Sequence, residues 1–226
     1  MTILHIGHRV SNLVWTGYPI IMNKSPNSAV SSRGPSDHEV RTQIVDAATD
    51  YFTHYGYAKT TVSDLAKSIG FSKAYIYKFF DSKQAIGEVI CANRLNEVRR
   101  TVDQAIAGAS SASDRLRRMF KAFVDAGMEL FFQDRKLFDI AATASGDRWP
   151  AVQDYKRYIE NLVTTIVKEG RESGEFERKT PLDETTNAIV LVLNPYVDPL
   201  LLQYNLDHAQ AAAVQLSSLV LRSLAP

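Results

Sequence analysis

An all-α fold, with a small helix-turn-helix head joined through a long helix to a larger helical body, is predicted by three observations. Apolar residues recur at three- and four-residue spacing from about Val40 onward; beyond the head no stretch alternates as a strand would; and Thr61 to Phe80 places small and apolar residues in the register that two short hinged helices need. With Val62 as the second residue of a twenty-residue unit, buried positions four, eight, ten, fifteen and eighteen are Leu65, Ile69, Phe71, Ile76 and Phe79. Ala66 stands where one helix presses on the other, and Gly70 where the chain reverses, a turn that glycine enters without steric cost. The competing reading is an ordinary hairpin of two short helices in an all-α core.

Taken in order, residues 1–36 form an extension. It mixes His5, Arg9, Asn12 and Trp15 with short apolar pairs, becomes rich in Asn, Ser, Pro and Gly, and has neither the apolar core nor the cleavage site of a signal peptide. Disorder is expected there, with Met22 as the working start and Lys24 and Arg33 as candidates for a minor groove. Ser36 and Glu39 make a capping box for a first helix whose stripe, Val40, Ile44, Ala47, Ala48, Tyr51 and Phe52, runs to the stop at Gly56. Thr60, Thr61 and Asp64 signal the next start, and Ser72 can cap the helix that follows. A fourth helix opens at Asp81-Ser82-Lys83 and runs to about Ile106, too long for the head alone. The head is therefore placed at 37–83 and the body at 84–226.

In the body, Leu116, Met119, Phe120, Phe123 and Gly127 make one helical stripe between Ser113 and Phe132, and a shorter helix covers Asp134 to Ala144. Gly146 to Pro150 breaks the chain, and Pro150 suits the first turn of a helix carrying Val152, Tyr155, Ile159 and Ile166 toward Gly174. Thr180-Pro181-Leu182-Asp183 reads as a cap, a first-turn proline and an early acid. Asn194 to Pro199 interrupts an apolar run and predicts a kink near Leu191 to Pro195. The last helix, Asp207 to Leu224, is rich in alanine, and with apolar residues 189–193 it suits a symmetric four-helix interface between subunits.

The residues Gly56-Tyr57, Thr60-Thr61-Val62, Asp64-Leu65-Ala66, Ile69-Gly70-Phe71-Ser72-Lys73, Tyr77-Lys78-Phe79-Phe80 and Ser82-Lys83 resemble the TetR family of bacterial transcriptional regulators, over roughly residues 38–85. Ala74 departs from that pattern where glycine is common, and Tyr75 where a small polar residue often sits. The resemblance implies a homodimeric repressor that binds a palindromic operator in double-stranded DNA and is released by a small hydrophobic or amphipathic effector, with the fourth helix as the lever. The alternative is a DNA-binding protein without ligand control. Two recognition helices about 34 Å apart read a palindrome. By position, Thr60, Thr61 and Tyr77 are expected on phosphates, Lys78 and Lys83 add charge, Ser72 caps or contacts phosphate, and Lys73 and Tyr75 face base edges. Phe79 and Phe80 are assigned to the head's core. The effector candidates are Phe123, Phe131, Phe138, Trp149, Tyr155, Tyr158, Asn194 and Tyr196, chosen from family and aromatic content.

The formal charge of only +1 by itself argues against nucleic acid, but its distribution argues back. From Lys59 to Lys83 there are five lysines against Asp64 and Asp81, 5 − 2 = +3, while Asp37, Glu39, Asp46 and Asp50 offset it on the first helix. The single cysteine, Cys91, fits a reducing compartment such as the cytoplasm and reads as inert core more readily than as a redox sensor. The five histidines share no ligand spacing, and there is no phosphate-cradling glycine loop or nucleophile elbow, so no metal, cofactor or enzymatic activity is expected. No segment is long enough to span a bilayer.

Overall fold

Two reciprocal caps set where the head's first two helices begin. The structure, a computed structural model, describes residues 36–133 and 135–226. The expectations for the extension, its start at Met22 and its Lys24 and Arg33, and the placing of Asp134 in a helix lie outside the described residues. In α1 (Asp37–Tyr55) the Ser36 amide donates to Glu39 Oε2 at 2.6 Å while the Glu39 amide donates to Ser36 Oγ at 3.2 Å. In α2 (Val62–Ser68) the Thr61 amide donates to Asp64 Oδ2 at 3.1 Å, and the Asp64 amide returns a 3.2 Å bond to Thr61 Oγ1. The hydroxyl of Thr61 and then its amide hold the Asp64 carboxyl below its ordinary pKa.

α1 buries Val40, Ile44, Ala48 and Phe52, as its stripe predicts, and also Val45. After α3 (Lys73–Tyr77), the 25-residue α4 (Lys83–Ala107) leaves the head under a Ser72-like cap from Ser82 and enters the body. Its buried face runs through Ile86, Ile90, Cys91, Leu95, Val102 and Ile106, so one rigid element carries both cores. Burial, and secondarily Glu88, pushes the Cys91 thiol up to about 12, which keeps it protonated.

The body consists of α5 (Ala112–Gln133), α6 (Arg135–Gly146), α7 (Pro150–Ser173), α8 (Leu182–Val197), the short α9 (Pro199–Leu202), a 3₁₀ turn (Leu206–His208) and α10 (Ala209–Ser223). α5 packs against α4, α7, α8 and α10, which makes it the central helix of the body. Two sequence expectations about helix starts are corrected. Pro181, not Thr180, is the residue before α8, and the Thr180 amide is taken by the Glu177 carboxylate instead. α8 contains Pro195 and ends before Asp198, which caps α9 through a 2.9 Å bond from the Leu200 amide. Pro195 has no N–H to give to the Leu191 carbonyl, the stretch where the kink is expected. The final α-helix begins at Ala209, since Asp207 belongs to the 3₁₀ turn.

The start of α5 is fixed from a distance. Glu175, on the connection after α7, accepts from the Ala112 and Ser113 amides, each at 3.0 Å, and so serves as an N-terminal cap that is 63 residues away from Ala112 in sequence. The Ser113 bond, opposed by desolvation and helped by the Ala112 bond, lowers the Glu175 carboxyl to about 2. A carboxyl lowered on folding stabilises the protein above its unfolded pKa, and that contribution is lost as pH falls through the folded value. Glu175→Gln is therefore expected to cost about 1 kcal/mol at neutral pH, in the range of a lost cap. The gap between the variant and the parent should narrow between about pH 4.5 and 2, read by denaturant unfolding at each pH; a gap that is constant with pH would refute the assignment.

Candidate nucleic-acid interface and effector cavity

The hinge between α2 and α3 is closed by backbone bonds. Gly70 has φ 72, the Phe71 amide donates to Ala66 O at 2.9 Å, and the Gly70 amide to Lys67 O at 3.4 Å, a Schellman stop to α2. Ser72 then caps α3, its Oγ accepting from the Tyr75 amide at 3.0 Å. Leu65, Ala66 and Ile76 are fully buried, whereas Ile69, Phe71 and Phe79 are half-buried at the rim. Of the two phenylalanines assigned to the core, Phe80 is buried and Phe79 lies at its edge.

Only Ile76 of α3 faces inward. Lys73, Ala74, Tyr75, Tyr77 and the adjoining Lys78 are exposed. The Tyr75 ring is held edge-on between Phe71, at 4.9 Å, and Phe79, at 5.2 Å, so its apolar body is anchored while 37 % of the residue remains open. Lys73 Nζ stands 5.7 Å from the Tyr77 ring, and Lys78 Nζ 5.5 Å from the Phe79 ring. Two ammonium groups and two phenols thus share one face of a short helix, together with the exposed Thr61 at the start of α2 and Ser72. Such a face presents cationic and hydroxyl donors to an anionic polymer.

Two sequence-predicted contacts are corrected. Thr60 is 2 % exposed and its hydroxyl donates to Gly56 O at 2.8 Å, so that side chain is not available to a phosphate. Lys83 is turned inward: its Nζ donates to Tyr57 O at 3.0 Å and Thr60 O at 3.1 Å and sits 4.3 Å from the Tyr57 ring centroid. Burial lowers its pKa. It braces the turn before α2 from the first residue of α4. Arg41 of α1, which sequence reasoning missed, plays the matching part on the other side, donating to Phe79 O with its guanidinium 4.4 Å over the Phe80 ring. Nothing in the local sequence of α1 marks it, because its partners lie 38 or more residues away.

Head and body meet at a chain of edge-on ring contacts. Tyr57 contacts Phe52 at 5.2 Å and Trp149 at 5.8 Å, and Gly87 of α4 lets both Tyr57 and Trp149 approach its backbone. Trp149, the residue before α7, is 2 % exposed, and its Nε1 finds no partner among the described residues. Lys136 of α6 donates to His54 O at the end of α1.

An apolar cavity of about 110 Å³ lies in the body. Leu95 of α4, Ala141 of α6, Val152 and Ile159 of α7, and Val190 and Val197 of α8 line it, with Tyr155, Lys156, Glu160, Asn194 and Asp198 as its polar members. Of the eight effector candidates, Tyr155 and Asn194 reach this cavity and the other six do not. Trp149 is at the junction with the head. Phe123 packs on Tyr155 and Tyr158; Phe131, Phe138 and Tyr196 belong to a separate cluster with Leu202 and Ala209. Tyr158 is turned toward α4, donating to Asp103 Oδ1 at 2.6 Å. The cavity walls are mostly aliphatic and most of the aromatic residues fill space elsewhere, so only Tyr155 and Asn194 of the eight candidates lie on it. Asp198 was visible only as part of the Asn194–Pro199 interruption.

A helix-turn-helix with its second helix's polar face outward, held on a helical body, defines a DNA-binding regulator. Residues 44–89 match the family model described as bacterial regulatory proteins, tetR family, and residues 112–216 match the tetracyclin repressor-like C-terminal domain. The chain belongs to the TetR family of transcriptional regulators, and its relatives are regulators, not enzymes. It is 24% identical over 155 residues to the HTH-type transcriptional regulator YhgD of Bacillus subtilis, covering 66% of this chain and 76% of that one. Over 62 residues it is 39% identical to IcaR of Staphylococcus aureus, the negative transcriptional regulator of a biofilm operon, a match spanning 26% of this chain and 33% of that protein. The fold is shared with FadR from Bacillus subtilis, solved in complex with stearoyl-CoA, at 19% identity and TM-score 0.60 over 81% of this chain and 98% of that chain.

A Cβ on Gly87 would lie 2.9 Å from Tyr57 Cε2 and 3.0 Å from Trp149 Cη2, closer than packed rings allow. Alanine gains about 1 kcal/mol over glycine in a helix interior, against about 1–3 kcal/mol for overpacking. Gly87→Ala is therefore expected to be destabilising by about 1 kcal/mol net, read by chemical unfolding; a stabilised variant would show that the rings yield.

Proposed function

We propose that the protein is a homodimeric repressor whose two heads grip a palindromic operator and let go when a small apolar ligand enters the body. The observation that carries the DNA reading is the outward set on α3, Lys73, Tyr75, Tyr77 and Lys78, around a single buried Ile76. Thr61, Ser72, Tyr77 and Lys78 hold the phosphates, and Lys73 and Tyr75 address base edges in the major groove. Residues 37–83 act as the reading head and 84–226 as the dimerisation and effector body, in the cytoplasm.

Dimerisation is supported by an exposed apolar face on α8 and α10. Leu191 is 63 % exposed, Val214 65 % and Leu219 54 %, with the exposed Ala188 and Ala211 on the same helices. Apolar area of this kind, on two helices of one subunit, suits a four-helix contact across a two-fold axis. Repression is supported by IcaR, a negative transcriptional regulator alike over 62 residues, and ligand control by the apolar cavity and by the acyl-CoA complex of the B. subtilis FadR.

A palindromic fragment from the protein's own upstream region should be retarded in a mobility-shift assay, and the shift should weaken steeply with added salt. Tyr77→Ala should lower affinity about tenfold or more while helicity by circular dichroism stays unchanged. Leu191→Glu should turn the dimer into monomers by sedimentation and abolish the shift at the same time. Binding that ignores salt, or a Leu191→Glu protein that stays dimeric, would refute the corresponding half of the reading.

A further inference from the structure

Asp198 is the one carboxylate at the cavity wall that is itself buried, at 7 % exposure, and it is held in place from several sides. Ser145 Oγ, at the end of α6, donates to both its oxygens at 2.9 and 2.8 Å, the Leu200 amide donates at 2.9 Å, and Lys156 Nζ of α7 lies 3.1 Å away. The two charges are not equivalent. The Asp198 side chain is 8 % exposed and anchored, whereas the Lys156 side chain is 45 % exposed on a flexible stem. Glu160, exposed and one turn further along α7, also borders the cavity, so its polar edge carries one cation and two anions.

Resting on the reading of this body as effector-binding, we propose that the effector is a small organic amine, protonated at neutral pH, whose ammonium takes Asp198 as counter-ion while its apolar part fills the aliphatic cavity. The incoming ammonium replaces Lys156 on a carboxylate that is already oriented, so no protein group has to be ordered for it. Lys156 moves to Glu160, four residues along the same face, and both charges stay paired. An anionic ligand has no such exchange open to it: drawing Lys156 away leaves Asp198 buried without a counter-charge. Size keeps the apolar part small, because a cavity of about 150 Å³ elsewhere accepts benzene and this one, at about 110 Å³, suits a short aliphatic group. A long acyl chain on a polyanionic carrier fits neither the volume nor the charge. The site is also wired to the head: Ser145 bonds Asp198 and lies four residues before Trp149, which packs on Tyr57. A ligand that loads Asp198 therefore acts on the connection that positions the head.

The test uses the full DNA-free protein and three probes of similar shape, isobutylamine, isobutanol and isovalerate, by titration calorimetry. Isobutylamine should bind about tenfold or more tightly than either of the others. Asp198→Asn should erase that preference. Because Asp198 also caps α9, Lys156→Met is the second variant, and removing the competing cation should tighten isobutylamine several-fold in a folded protein. Equal or tighter binding of the alcohol or the acid, no binding of any probe, or weaker amine binding in Lys156→Met would overturn the proposal. Operator release is scored separately: selective amine binding without release leaves the site and removes ligand-controlled repression, whereas release by neutral or anionic compounds with no amine binding does the reverse.

Discussion

A five-residue helix cannot hold its own shape, and everything this protein does with DNA depends on the shape of one such helix. Nucleating a helical turn is unfavourable, and isolated segments this short are not helical in water. α3 is held by its surroundings: Ile76 is wedged into the head, Ser72 satisfies the Tyr75 amide at the front, and Arg41 takes the Phe79 carbonyl just past the end. Since only Ile76 is buried, the exposed Lys73, Ala74 and Tyr77 can differ without loss of the helix, while Tyr75 adds an edge-on contact with Phe71 and Phe79. The same few anchors thus supply rigidity and leave the outward face open to variation.

The core of the head, from Val40 to Phe80, is continuous with that of α4 and the body. Lys83 braces the turn before α2, Tyr57 inserts between Phe52 and Trp149, and Gly87 removes the side chain that would keep these rings apart. A packed junction of rings has few intermediate arrangements, which makes it suited to passing on a displacement rather than absorbing it. α4 is the continuous element through this junction, as the proposed lever requires, and the contacts of α6 and Trp149 give the head a second support.

The body combines a dense aromatic cluster with an aliphatic hole. Tyr155 and Tyr158 stack, Phe123 meets both edge-on, and Phe131 meets Phe138 edge-on at 4.8 Å, arrangements that fill volume and fix helix positions. The hole is left where α4, α6, α7 and α8 diverge, closed on one side by the break at Asp198. A buried carboxylate is costly unless bonded, and the bonds to Ser145, Leu200 and Lys156 that satisfy it also join α6, α7 and the α8–α9 corner at a single point.

The succession of helices was legible in the sequence because its signals are local: capping boxes at Ser36–Glu39 and Thr61–Asp64, a glycine hinge at Gly70, Pro150 at a helix start, and stripes at helical period. The outward placement of Lys73, Tyr75, Tyr77 and Lys78 was legible for the same reason, since a helix with one inward residue exposes the rest. Tertiary structure alone decided that Thr60 is buried, that Lys83 and Arg41 are spent on carbonyls, that Glu175 caps a helix across 63 residues, and that the cavity has aliphatic walls with Asp198 at its edge. Each of these depends on which distant groups come together, and periodicity records which face of an element is buried without recording what lies opposite.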